Sequence, residues 1–255
     1  MKSDEHRPTQ LVADDHLMSQ SDFARAVREF GVADPQVAPG VRLTILSPSL
    51  LADLDRFAIG VASIEPLEVL AACVRHARPL VMFLELGGRV MPLRMFPTQG
   101  LFACPSDFLG LPDAHVRQLR FIRVEPSVSY QPTDPQGPGD VAERTGPLLL
   151  LSWRVAMFGR RFEPLPEIDG RACYRVSPAL NIDRLPADDA ATVVLRRMKR
   201  KSLTLDDIAS ETGMGIERAC RLLNAVYLQA GLITLRASPC AKHSSLLAVF
   251  GRDSR

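Results

Sequence analysis

Cysteine is scarce and scattered in this chain. The five thiols, Cys73, Cys104, Cys173, Cys220 and Cys240, stand far apart with no CxxC pair. That spacing argues against a structural zinc site, and the odd count argues against a disulfide framework. Most are flanked by apolar residues, as in LAACVRHA, and read as small core hydrophobes. Charge of one sign is lacking too. The formal net charge is +2, so any attraction to nucleic acid or an acidic membrane must come from a local patch. No long hydrophobic run is present. The most apolar stretch, GPLLLLSWRVAMFG, is about a dozen residues and contains Arg154, too short and too charged to span a bilayer. The opening MKSDEHRPTQLVADDH has no apolar signal core. The expectation is a reduced, cytoplasmic protein with no membrane association.

Catalytic signatures are missing as well: no GxxxxGK[ST] loop, GxGxxG loop, GxSxG elbow or HExxH pair occurs. His6, His16, His76, His115 and His243 stand apart in sequence. His76 can be drawn with Glu68 and Asp53 as an acid–base trio only if tertiary folding joins them. The sequence therefore predicts no catalytic residue, no cofactor and no metal site.

What is present is a chain of 255 residues, 46% hydrophobic and 24% charged, ordinary for one large or two medium globular domains. Residues 1–18 read as a frayed polar tail. SQSDFARAVREFG predicts a helix capped by Ser21 or Asp22, with Phe23, Ala26, Val27 and Phe30 on one face and Gly31 as its stop. VRLTILSP and AIGVASI read as strands, with a short helix-spaced piece, SLLADLDRF, between them. Pro66 opens a helix burying Leu67, Leu70, Ala71 and Val74. LVMFLEL and RVMPLRMF flank Gly87-Gly88 as a tight hairpin. The first arm is apolar enough for the sheet interior, whereas Pro92 and Pro97 place the second at an edge. GLFACP adds a strand, and LPDAHVRQLRFIRVEP reads as a helix running into an extended piece.

Residues 130–146, YQPTDPQGPGDVAERTG, form the strongest linker and mark a boundary between an N-terminal α/β module, 19–129, and the rest. After it come a buried helix carrying Trp153, the only tryptophan, and a strand containing Tyr174. These two are expected to be neighbours in a second core, with 147–186 packing on the C-terminal unit. ADDAATVVLRRMKRK has an acidic first turn and a basic last turn that suit the helix dipole, with Val193, Val194 and Met198 as its apolar stripe. LTLDDIASETG carries a capping box, Thr204 with Asp207, and Gly213 allows the turn into IERACRLLNAVYLQAGLI. A strand, a small-residue turn and a second strand end the pattern.

This order over 187–255 resembles a winged helix. The fold expectation is thus α+β: an N-terminal module built on an antiparallel hairpin sheet flanked by helices, plus a C-terminal winged-helix domain. Winged helices serve DNA binding and protein docking alike, so the residues must decide. At the head of the third helix, Gly215, Ile216 and Glu217 read bases poorly. Arg218, Arg221 and Asn224 remain as polar reach, while Arg196, Arg197, Lys199 and Lys201, with Arg236 and Lys242 near the wing, supply cations. Acidic Asp206, Asp207, Glu211 and Glu217 would repel a phosphate backbone. The N-terminal element order is also similar to the roadblock (LC7) fold, with SLLADLDRF as an irregular insertion. That resemblance implies a partner among small GTPases, or a homodimer. Two functions are expected from this surface. The first is a non-catalytic regulatory adapter that docks protein; the second is a transcriptional regulator that contacts DNA through Arg218, Arg221 and the basic run 196–201.

Overall fold

The computed structural model describes residues 17–29, 47–58, 64–127, 143–211 and 213–236. The first half runs β1 (Met18–Ser19), α1 (Gln20–Glu29), α2 (Pro48–Ala58), α3 (Pro66–His76), β2 (Leu80–Leu86), β3 (Arg89–Phe96), β4 (Leu101–Cys104), α4 (Asp113–Gln118) and β5 (Arg120–Pro126). It continues through β6 (Arg144–Pro147), α5 (Leu148–Phe158), β7 (Cys173–Val176), a 3-10 turn at Ile182–Arg184, α6 (Asp189–Arg200), α7 (Leu205–Glu211), α8 (Ile216–Leu228) and β8 (Leu232–Leu235). The fold is α+β, with every described strand pair antiparallel.

The larger sheet has the order β5-β2-β3-β4-β6, with β1 also on β3. Gly87 and Gly88 take φ of 59° and 79°, the left-handed pair that a two-residue hairpin needs. In-register pairing then runs from Leu86↔Arg89 to Leu80↔Met95. Strand alternation sends Leu80, Met82 and Leu84, with Leu93 and Met95, to one fully buried face. Helix α3 is among the helices that cover the sheet core. Pro66 fits its first turn, where no intrahelical N–H is needed, and Arg75 and His76 sit in its last. Leu67, Leu70 and Ala71 are buried as expected, whereas Val74 is half-exposed.

Several expectations change. The second hairpin arm is not an edge, because β3 lies between β2 and β4. Pro92 is tolerated there for a local reason. Its partner is Phe83 on β2, while the other side of β3 is taken by β1 at Arg89 and Val90 and by β4 from Arg94 onward. The missing amide therefore falls beside a gap in the described ladders. SLLADLDRF lies within an 11-residue helix, α2, rather than an irregular insertion. Its Phe57 buries against Phe121 at 6.3 Å between ring centroids. Helix α1 is capped by Ser19, whose Oγ accepts the Asp22 amide at 3.1 Å, and not by Ser21 or Asp22. Phe23 meets Phe83 at 5.1 Å. The expected strands VRLTILSP, but for its last two residues, and AIGVASI, but for its two ends, lie outside the described residues, as do Phe30, Gly31 and the last strand of the chain.

Strand β6, at the end of the proline-rich 130–146 stretch, pairs with β4 and closes the first sheet. Helix α5 follows without a break and packs on α3, α4, β4 and β6 on one side and on α8 on the other. Arg154, the one charge in that apolar helix, donates to the carbonyls of Leu109 and Leu111 and to Asp113. It ties α5 to the approach of α4. Buried residues from both halves, Leu70 and Met82 as well as Trp153, Tyr174, Leu195 and Leu223, belong to one continuous core.

The C-terminal helices α6, α7 and α8 follow one another as a three-helix unit, with α7 and β8 packing on α8 and α6 on β7. Asp188 caps α6 by accepting the Ala191 amide at 2.9 Å. The buried stripe of α6 is Ala191, Val194, Leu195 and Met198, and Val193 is 48% exposed instead. The capping box of α7 is present in both directions: Thr204 N–H donates to Asp207 at 3.0 Å and Asp207 N–H to Thr204 Oγ1 at 3.1 Å. The Thr204 amide, and after it the Thr204 hydroxyl, hold the Asp207 carboxyl below the usual carboxylate range. Its stabilising contribution is therefore present above the ordinary carboxylate pKa and is lost as pH falls through the lowered one. Thr204→Ala should cost about 1 kcal/mol, and the variant should lose part of the acid sensitivity of the wild type. Thermal melts at pH 7 and in the acid range check this. Strand β8 pairs with β7, from upstream of α6, and Tyr174 of β7 exchanges backbone hydrogen bonds with Leu203 at 2.7 and 2.9 Å.

Candidate functional site

Helix α8 begins at Gly215, whose φ of 78° suits glycine and which offers no side-chain cap. Ile216, Glu217 and Arg218 are exposed in its first turn. Arg218 pairs with Asp188, the cap of α6. One turn on, the helix turns inward. Arg221 is 5% exposed and donates to the Met157 carbonyl at 2.9 Å and to Glu217 at 2.8 Å. Asn224 is fully buried. Its Oδ1 accepts the Leu165 amide at 2.8 Å and its Nδ2 donates to the Glu163 carbonyl at 2.9 Å. Arg221 and Asn224 are thus core residues and cannot lie in a DNA groove with the helix in place. The reason is amphipathic geometry. They share the face of α8 that packs on α5 and on the loop after it.

The remaining cations are spread over separate contacts. Arg196 pairs with Asp183 at 3.1 Å, and Lys199 donates to the Pro178 carbonyl at 3.3 Å. Arg197 and Lys201 are exposed at the end of α6. Arg236 donates to the Glu167 carbonyl at 2.9 Å. Lys242 lies outside the described residues. The basic run therefore spans several directions around α6. The acidic residues of the same unit, Asp188 and Glu217, each hold one of the two arginines of α8.

The segment between α5 and β7, residues 159–172, has no regular helix or strand. Its backbone polar groups must still find partners if buried. Side chains from both halves supply them. Asn224 acts from α8, Arg236 from the end of β8, and the Tyr174 hydroxyl from β7, donating to the Ile168 carbonyl at 2.8 Å. From the other side, Arg161 within the segment reaches α3, donating to Glu68 at 2.8 Å and lying 3.5 Å from Glu65. Arg161 also donates to the carbonyls of Glu163 and Pro164. Arg75 of α3 pairs with Glu167 and with Asp53. The segment is a staple between the sheet and the three-helix unit.

The acid–base trio is divided by this arrangement. His76 does meet Asp53, at 2.8 Å, but Arg75 shares that carboxylate and Glu68 turns to Arg161 and Arg56. The four described cysteines are buried. Burial pushes the Cys73 thiol up to about 12 and raises Cys220, so neither is a ready nucleophile. Among the described residues no group of three or more His, Cys, Asp or Glu could hold a metal ion, and no helix is long and apolar enough to cross a membrane. Trp153 and Tyr174 both lie in the core, 2% and 1% exposed.

Sequence reading missed Arg161, Arg75 and Glu167 because ion pairs so distant in sequence leave no local pattern. It also missed Arg117 of α4, an exposed arginine with no side-chain partner among the described residues. Arg117 lines a groove beside the first turn of α8. Comparison with family models, with curated proteins and with solved structures finds no match for this chain.

Proposed function

We propose that this chain is a non-catalytic regulatory adapter whose C-terminal unit is a winged helix that docks protein rather than DNA. The shape is supported by the α6–α7–α8 order, the capping box at Thr204 and Asp207, and β8 following α8 directly. One observation carries the functional half. Two of the polar residues that a DNA-reading third helix would direct outward are held inside the protein, Asn224 by the 159–172 staple and Arg221 by the Met157 carbonyl of α5, while Arg218 is engaged by Asp188 at the surface. What the first turn of α8 leaves exposed is Ile216, 50% open to solvent, beside Glu217 and an Arg218 already paired with Asp188. An apolar residue next to a carboxylate suits a protein surface better than a phosphate backbone. By its roadblock likeness, the N-terminal module extends the proposal to a small GTPase or a second copy of the chain as partner.

The DNA reading keeps one support, the exposed Arg197, Arg200 and Lys201 at the end of α6. Contacts from there would be to phosphate and blind to sequence. Fluorescence anisotropy on random-sequence duplex DNA separates the two. The adapter predicts no saturable binding by the full chain even at low salt. Binding that weakens steeply as salt rises would overturn it.

A further inference from the structure

The groove beside α8 has a volume of about 620 Å³, within the range of about 300–1,000 Å³ typical of small-molecule sites. Its apolar wall comes from Trp153, Met157 and Phe158 of α5 and from Met214 before α8. Its charged groups come from two elements and from the residue that caps a third: Arg117 of α4, Asp188 at the head of α6, and Glu217, Arg218 and Arg221 of α8. Three guanidinium groups face two carboxylates, which leaves an excess of one positive charge.

That excess is not evenly matched. Arg218 has Asp188 and Arg221 has Glu217, but Arg117 has no side-chain partner among the described residues. Arg221, 5% exposed, also keeps its Nε buried with no hydrogen-bond partner. A buried N–H of a charged group left unpaired is costly unless something supplies an acceptor. The first turn of α8 adds backbone amides that Gly215 cannot cap, at the positive end of a 13-residue helix. Arg117, without a side-chain partner among the described residues, the uncapped start of α8 and a broad apolar wall thus line one opening.

We propose that this groove binds a small organic monocarboxylate. Arg117 and the first-turn amides of α8 receive the carboxylate, and the apolar body lies against Trp153, Met157 and Phe158. A single negative charge neutralises the excess, whereas a doubly charged phosphate would overshoot it. A flat carboxylate also matches the guanidinium fork. Because α4 and α5 line one side and α6 and α8 the other, the ligand bridges the sheet half and the three-helix half. This proposal stands independently of the adapter reading.

Trp153, the sole tryptophan, lines the groove and reports directly on its occupancy. The full chain is titrated with hexanoate, decanoate and phenylacetate, and with the neutral 1-decanol. Intrinsic emission is the readout, with equilibrium dialysis as a second measure. The expected result is saturable binding of at least one carboxylate, at least about tenfold tighter for decanoate than for decanol. Arg117→Gln, an exposed change that threatens no packing, should weaken the carboxylate about tenfold while leaving decanol unchanged. Decanol binding as tightly as decanoate, an unaltered affinity in Arg117→Gln, or no saturable binding of any of the three acids by either measure would each overturn the proposal.

Discussion

Asn224→Ala should lower stability by about 3 kcal/mol, among the largest effects of any polar substitution in the chain. The side chain is fully buried and satisfies two backbone groups of another segment, the Leu165 amide and the Glu163 carbonyl. Alanine leaves the buried Leu165 amide without its acceptor and the Glu163 carbonyl with Arg161 alone. At this chain length the loss corresponds to a fall in Tm of roughly 6–12 °C. Asn224→Asp would rescue little, because it keeps the acceptor for Leu165 but sets a carboxylate against the Glu163 carbonyl. Thermal denaturation of the two variants checks this. A DNA-reading asparagine would show the opposite pattern, with full stability and altered binding.

The second large effect belongs to Arg161→Ala. Its side chain is 15% exposed, as is that of its partner Glu68, and it also faces Glu65. Removing the cation strands Glu65 and the Pro164 carbonyl and leaves Glu68 with Arg56 alone, a loss of about 3 kcal/mol for a largely buried pair broken on one side. Burial already raises the Glu65 pKa, with Arg161 the strongest opposing influence. Without Arg161 the Glu65 pKa rises further. A raised carboxyl pKa favours the folded state below the unfolded value and loses that contribution as pH climbs through the folded one. The deficit should therefore be largest at and above neutral pH and shrink towards pH 4. The double variant Arg161→Met/Glu68→Met should be less destabilised than the sum of its singles, since it removes the stranded charge along with its partner. Chemical denaturation of the four-member cycle at two pH values measures both claims.

These effects concentrate in residues 159–172, and that is where the sequence was least legible. Local signals carried well. Gly87-Gly88, Pro66, the Thr204–Asp207 box and the apolar spacing of α3 and α8 each act within one or two turns or a single hairpin, and the structure holds each of them. Pro92 misled because proline excludes a full ladder, and β3 has an incomplete one between β1 and β4. SLLADLDRF was underread because its helix is fixed by tertiary burial of Leu50 and Phe57 rather than by strong local caps. The candidate surface was half legible. Its helix, its first turn and its exposed Ile216 follow from spacing alone. The inward turn of Arg221 and Asn224 does not, since polar residues on an amphipathic helix read as solvent-facing until an irregular segment is found needing donors and acceptors.

Arg221 offers the most direct test that the polar residues of α8 are structural. Arg221→Ala removes the bond to the Met157 carbonyl at the end of α5 and the pairing with Glu217, a predicted loss of about 2 kcal/mol. Thermal unfolding and duplex-DNA anisotropy are measured on the same preparation. The account predicts a lower Tm with no change in DNA affinity. A variant as stable as the wild type that loses measurable DNA binding would contradict it and would return α8 to the role of a reading helix.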